Sequence, residues 1–274
     1  MNELSQFVTG TKTDICYTLK NWRWEEAVRL LKPRAYGSAI SLHDGTMMVT
    51  GGIQDSGIVM TSEIISWNHN GYSVTRGPRA LNKKMGHCSV TAPGFFTLEI
   101  GGYDGLNFLD DVEELDRVWR VKASRLREPR FDHSCTVVTD TQGTPKTVLV
   151  IGGYGKDGYL NTTETMNLEN FLWTEHGSTD TSTFINQVLS HEDEIPNLGR
   201  SGGSYVSEDG RIFNVGGAVC GKGIKNKRTQ ECERTATIRQ LDEDGVLLGT
   251  LDSFMDIPRS SFAFAQIPKS MLCS

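Results

Sequence analysis

Short apolar runs of four or five residues recur along this chain, and each is cut off by a pair of glycines. Met47-Met48-Val49-Thr50 stops at Gly51-Gly52, and Phe96-Thr97-Leu98-Glu99-Ile100 stops at Gly101-Gly102. Val148-Leu149-Val150-Ile151 stops at Gly152-Gly153, and Ile212-Phe213-Asn214-Val215 at Gly216-Gly217. Runs this short, rich in β-branched residues and ended by glycine, predict buried strands rather than helices. The first glycines of successive pairs are 50, 51 and 64 residues apart. A period of that length is the mark of an architecture in which each repeat is one supersecondary unit.

Two further markers keep step with the glycines. A basic residue precedes each run and is followed three positions later by Gly, His or Phe: Arg34 and Gly37, Lys84 and His87, Arg130 and His133, Arg200 and Gly203, Arg259 and Phe262. Pro33, Pro129 and Pro258 stand just before three of them, as turn residues. Glu63, Glu113 and Glu164 each lie eleven residues after the second glycine of their pair and open another strand-like run. Trp67, Trp119 and Trp173 follow at looser spacing and are expected in the core.

Paired glycines after a second strand, a Glu opening a third, an aromatic near a fourth and a period near 50 resemble the kelch repeat family over nearly the whole chain. The resemblance implies an all-β propeller in which each repeat is one four-stranded blade, packed radially because a lone sheet cannot cover both of its faces. Four blades are expected at about 34–77, 84–128, 130–177 and 200–256. The ends supply the rest of a fifth. Gln6-Phe7-Val8-Thr9-Gly10, Asp14 to Leu19 and Trp22 to Val28 read as strands b, c and d, and Phe262 to Ile267 as strand a. Segments 6–30 and 259–267 would then close one domain, 1–274, and leave no open sheet edge. The alternative is a fragment of a larger kelch protein.

Strand alternation puts the b–c and d–a connections at one end of every blade. The two longest, Ser178 to Leu198 and Ala218 to Arg234, both fall there. Long loops on a compact scaffold are where function concentrates. The first carries His191-Glu192-Asp193-Glu194, and the second carries Lys222, Lys225, Lys227 and Arg228. Shorter b–c loops add Gln54 and Asp55, then Tyr103, Asp104 and Asn107, then Tyr154, Lys156, Asp157 and Tyr159. Tyr mixed with Arg, Lys and Asp is the composition of a protein-recognition face. The marker cations Arg34, Lys84, Arg130, Arg200 and Arg259 lie near the same rim. They are either a ring for an acidic peptide or a structural feature of the repeat.

Composition narrows the function. A formal net charge of −6 argues against a nucleic-acid partner. No stretch approaches the roughly 20 apolar residues that cross a bilayer, and residues 1–12 carry no apolar signal core, so a cytoplasmic protein is expected. Cys16, Cys88 and Cys135 lie in strand-like runs and read as buried small hydrophobes. Cys220 and Cys232 bracket one polar loop, where a bridge stays open as an alternative to free thiols. So does use of the sequon Asn161-Thr162-Thr163; both require an oxidising compartment.

Chemistry is weakly signalled. His87 and His133 occupy equivalent repeat positions, while His43 and His69 adjoin Asp44-Gly45 and Asn70-Gly71, which read as hairpin turns. No phosphate-binding glycine loop or Gly-x-Ser-x-Gly motif is present. The sequence therefore predicts a monomeric, non-enzymatic module without cofactor or metal, binding a protein or peptide through the b–c/d–a face. The competing expectation is an extracellular propeller acting on a small molecule or carbohydrate.

Overall fold

The computed structural model describes residues 12–20, 23–69, 71–92, 96–122, 124–140, 142–160 and 162–176, and beyond these the backbone of six short strands between residues 203 and 251. The regular structure of the described residues is all β-strand. Among them no helix is long and apolar enough to cross a membrane. The chain divides into two compact units, one holding the described residues through Arg125 and the other beginning at Leu126.

The first unit opens with a hairpin of β1 (Thr13–Lys20) and β2 (Arg23–Arg34). Next comes a sheet of β3 (Ser38–Ser41), β4 (Met47–Thr50), β7 (Ser62–Asn68) and β8 (Gly71–Arg76). A small ribbon, β5 (Ile53–Gln54) and β6 (Gly57–Ile58), fills the connection between its second and third strands. The second sheet follows the same order with β9 (Cys88–Ala92), β10 (Phe96–Tyr103), β11 (Phe108–Asp116) and β12 (Val118–Val121). Here the ribbon is built into the ends of β10 and β11, where Tyr103 pairs with Phe108.

The second unit repeats the plan twice. Its first sheet is β13 (Ser134–Thr139), β14 (Pro145–Ile151), β17 (Thr163–Asn167) and β18 (Trp173–His176), with a ribbon of β15 (Tyr154–Gly155) and β16 (Gly158–Tyr159). The other is β19 (Gly203–Val206), β20 (Ile212–Val215), β23 (Ile238–Leu241) and β24 (Leu247–Leu251), with a ribbon of β21 (Ala218–Cys220) and β22 (Cys232–Arg234). All four sheets are antiparallel meanders in which sequence neighbours pair. Within each unit the first strands of consecutive sheets adjoin, β3 with β9 and β13 with β19.

Alternation along the strands explains why the first sheet's second strand carries apolar residues on both faces. Ala39, Met47, Val49 and Ile65 face the hairpin and pack with its Cys16 and Leu30. Their neighbours Ile40, Met48 and Ile64 face the other way, against Ala80 and Trp119 of the next repeat. The first sheet is thus covered on both faces, and its central strand β4 is buried at every position. Each such Val, Ile, Leu or Met contributes about 1.5–3 kcal/mol on burial.

Three sequence expectations meet the structure differently. Asp14 to Leu19 and, within the expected Trp22 to Val28, the residues from Arg23 form adjoining strands; Trp22 lies outside the described residues, and β2 runs on to Arg34. Trp119 and Trp173 are buried, but Trp67 is 40 % exposed. The reason is position: Trp119 and Trp173 stand on the fourth strands β12 and β18, whereas Trp67 sits near the end of the third strand β7. Cys16 is a buried free thiol, as read from sequence. Cys88 and Cys135 are disulfide-bonded, which corrects their reading as plain hydrophobes. The strands assigned to Gln6–Gly10 and Phe262–Ile267 lie outside the described residues, as do Gly216 and Gly217.

Candidate functional site

The repeat markers converge on one knot of contacts. In the first repeat Arg34 donates through Nη1 to the carbonyls of Gly51 (2.8 Å) and Thr61 (2.9 Å), and through Nη2 to Glu63 Oε1 (2.6 Å). In the third, Arg130 donates to the carbonyls of Gly152 (2.8 Å) and Thr162 (3.2 Å) and to Glu164 Oε1 (2.7 Å). Lys84 sits 2.7 Å from Glu113 Oε1 in the second. The other carboxylate oxygen accepts a backbone N–H three residues before the cation: Leu31 (2.5 Å), Leu81 (3.0 Å) and Arg127 (2.8 Å). One Glu therefore holds both the cation and the segment that delivers it.

Arg34, Lys84 and Arg130 are fully buried. They present no charge at the surface, so of the two readings, a ring for an acidic peptide or a structural feature of the repeat, these three cations take the second. Arg200 and Arg259 lie outside the described residues. In the fourth sheet the register position held elsewhere by Glu63, Glu113 and Glu164 belongs to Arg239, paired with Asn214 as Glu63 is with Val49.

The glycines complete the knot. A Cβ on Gly52 would lie 2.5 Å from the Ala35 carbonyl oxygen, and one on Gly51 would lie 2.6 Å from His87 Cε1 and 2.7 Å from the Lys84 carbonyl oxygen. The second glycine admits its own repeat's cation segment, and the first admits the next one. Two residues beyond the cation the chain turns left-handed each time, at Tyr36 (φ 55°), Gly86 (φ 59°) and Asp132 (φ 57°). For the two non-glycines this costs on the order of 1–2 kcal/mol.

The second repeat keeps the Glu and the glycines of this knot but departs from the other two at three positions. Lys84 replaces Arg34 and Arg130, Asp111 replaces Thr61 and Thr162, and Glu99 replaces Val49 and Val150. Lys84 Nζ lies 3.2 Å from Asp111 Oδ2, longer than its contact with Glu113. His87 Nε2 is 3.9 Å from Glu99 Oε1. Burial pushes the Glu99 carboxyl up to about 7, with Glu113 and Asp111 adding to the rise and Lys84 opposing it. Burial works against the charge on Lys84, yet Glu99, Asp111 and Glu113 outweigh it and raise its pKa. One lysine thus serves three buried carboxyls.

A cavity of about 330 Å³ opens beside this cluster, lined by Lys83, Asp104, Phe108, Asp110, Asp111 and Val121 among others. Asp104 is held by its own turn, accepting the N–H groups of Leu106 and Asn107 at 2.7 Å each, and these bonds lower its pKa. Asp110 pairs with Arg125 at 2.7 Å. Asp111, 7 % exposed, keeps Oδ1 without a hydrogen-bond partner. A β-bulge sets this geometry: between Ile100–Val112 and Gly102–Leu109 the strand β11 carries one extra residue, at Asp110–Asp111.

The loop residues chosen from sequence occupy the connections between second and third strands. Asp55, Asn107, Lys156 and Asp157 are exposed, while Gln54, Tyr103, Asp104 and Tyr154 are half-buried. In the first unit Gly105 reaches Ile58 of the first ribbon, so Gln54, Asp55, Tyr103, Asp104 and Asn107 share one surface. Tyr154, Lys156 and Asp157 belong to the second unit, as does Tyr159, which pairs with Tyr154 along the backbone. Lys222, Lys225, Lys227, Arg228 and the segment 178–198 lie outside the described residues, as does Asn161 of the sequon. The register sets Cys220 opposite Cys232.

Asp111 and Glu99 escaped a reading that looked for repetition, because they are the positions where repetition fails. Their signal was present: Glu99 interrupts an otherwise apolar run, and Asp111 stands two before a marker Glu where Thr61 and Thr162 stand elsewhere. Among the described residues no group of three His, Cys, Asp or Glu is placed to hold a metal ion. No family model matches the chain, and no curated protein matches it.

Proposed function

We propose that this chain is a kelch-type propeller of about five blades that works as a binding module for a partner protein or peptide, without catalysis or cofactor. The supporting observation is the division of labour between buried and exposed polar residues. Among the described residues, the marker cations Arg34, Lys84 and Arg130 and their glutamates are used up inside the sheets, while the connections between second and third strands carry exposed Asp55, Asn107, Lys156 and Asp157. Each such connection leaves its sheet at the corresponding end, because the four meanders share one strand order. The propeller reading draws on those meanders, on the adjoining first strands within each unit, and on the hairpin β1–β2, which supplies two strands toward a further blade.

The experiment is capture of partners by the full chain, compared with variants reversed in charge at Asp55, Lys156 and Asp157 and at Lys222, Lys225 and Lys227. Loss of the same partners in either set supports the face; partners retained by both sets remove it. Ring closure is read from an experimental structure of the full chain.

A second reading of the compartment is favoured by one observation. Cys88 and Cys135 are disulfide-bonded, and such bonds persist in oxidising compartments rather than in the cytosol. The extracellular alternative therefore gains on the cytoplasmic one, and the state of these cysteines in protein from its native source decides between them.

A further inference from the structure

We propose that the cavity of the second sheet receives a cationic side-chain end, the ammonium of a lysine or the guanidinium of an arginine, from the partner. The inference rests on the binding-module reading above and gives it a contact of defined chemistry.

Charge accounting around the cavity leads there. Asp110 is neutralised by Arg125 at 2.7 Å. Asp104 gives its carboxylate to the backbone of its own turn. Asp111 has only Lys84, a cation it shares with other buried carboxyls. Its Oδ2 shares Lys84 with Glu113, and its Oδ1 has no hydrogen-bond partner although the residue is more than nine-tenths buried. A buried carboxylate oxygen left unpaired costs about 1–3 kcal/mol or more, and a bound donor removes that cost.

The other repeats show that this cost is not required by the fold. At the same position the first and third carry Thr61 and Thr162, whose carbonyls accept from an arginine, and both sheets form. The second repeat has exchanged a neutral threonine beside the arginine, whose Oγ1 is itself unpartnered at Thr61, for a buried carboxylate, Asp111, beside Lys84, and bulges the strand at that point. A buried carboxylate where the same position elsewhere holds a neutral side chain calls for an explanation, and a bound cation supplies one.

The walls suit an alkyl chain ending in a cation. Phe108, Leu109 and Val121 supply apolar surface for the stem, and the Phe108 ring adds a face to which a cation is attracted. The volume, about 330 Å³, is at the small end of ligand pockets, enough for one side chain. Lys83 also lines the cavity and opposes a cation, so it tunes affinity downward.

The test is titration of the full chain with three capped tripeptides, glycyl-X-glycine, in which X is lysine, norleucine or glutamate. The lysine peptide is expected to bind about tenfold or more tightly than the norleucine peptide. Asp111→Asn abolishes that preference, and Lys83→Gln strengthens lysine binding several-fold. Val121→Lys changes an exposed residue and places a competing cation in the cavity. It removes binding without touching the buried cluster, so a folding defect of Asp111→Asn cannot mimic the result. Preference for the glutamate peptide overturns the inference and assigns the cavity to Lys83 and Arg125 as an anion site. Equal or absent binding of all three overturns it as well. Partners lost on loop charge reversal but kept by Val121→Lys sink this inference while leaving the binding-module reading intact.

Discussion

Glu99 stands directly across the strand pair from Glu113, two fully buried carboxyls at one register position with Lys84 as their shared cation. Like charges directly opposite on neighbouring strands destabilise a sheet, so one of the two must carry a proton or lose stability. The burden falls on Glu99. Its pKa rises from 4.5 to about 7 because burial disfavours its charge, while Glu113 is tied to Lys84 at 2.7 Å.

Stability is therefore expected to fall with rising pH in one window. The folded pKa of Glu99 exceeds the unfolded one, so its favourable protonated form is complete below about pH 4.5 and is lost as pH rises through about 7. The contribution is on the order of 3 kcal/mol. Lys84, His87, Asp111 and Glu113 surround the group. Glu99→Val, the residue found at 49 and 150, is expected to raise the unfolding midpoint at pH 8 and flatten its decline between pH 5 and 8. Denaturant titrations at several pH values read this; an unchanged slope in the variant rejects the assignment.

Much of the fold was legible because repetition multiplies weak signals. Four short apolar runs with glycine stops gave the second strands, and alternation gave their neighbours. Contacts across sequence were not legible. Arg34 and Glu63 are 29 residues apart in the chain, and nothing in their spacing says that one neutralises the other. Without that link a row of cations reads as a surface. Trp67 was misplaced for a related reason: it recurs in roughly the right interval but on a different strand from Trp119 and Trp173.

The knot should be sensitive to the shape of its cation as well as its charge. Arg130 reaches two carbonyls and a carboxylate with two nitrogens of one planar group, which lysine cannot reproduce. Arg130→Lys is expected to cost about 2 kcal/mol, through a buried carbonyl left without a donor. Arg130→Met strands Glu164 in the interior and costs about 3–5 kcal/mol. Urea unfolding measures both. If each lies within about 0.5 kcal/mol of the wild type, the pair is not a structural tie.

Gly51 and Gly57 both have positive φ, at 60° and 102°, but only Gly51 is crowded. A methyl at Gly57 meets nothing within 4 Å, so Gly57→Ala carries the backbone penalty alone, about 1 kcal/mol. Gly51→Ala adds overlap with His87 and with the Lys84 carbonyl, and should cost at least about 2 kcal/mol more. Adding His87→Ala to Gly51→Ala removes only one of the two obstacles. Full rescue in thermal melts by that second change would show that the backbone contact is not limiting.

The cysteines give the sharpest test of compartment. Cys16 is buried, and burial together with the charges of Glu63 and Asp14 pushes its thiol up to about 12, so in the folded protein it should resist alkylation at pH 8. Cys88 and Cys135 are disulfide-bonded and should take label only after reduction, even when unfolded. Cys220 and Cys232 are opposite each other in the ribbon β21–β22, the cross-strand placement from which a bridge can close the segment 221–231. Such a bridge is worth about 3 kcal/mol by restricting the unfolded chain. In protein from an oxidising compartment, mass spectrometry should therefore find Cys220 and Cys232 protected until reductant is added. Reduction should lower the unfolding midpoint. Free thiols at all of these positions in native material would place the chain in a reducing compartment, and the extracellular alternative would lose the observation that favours it.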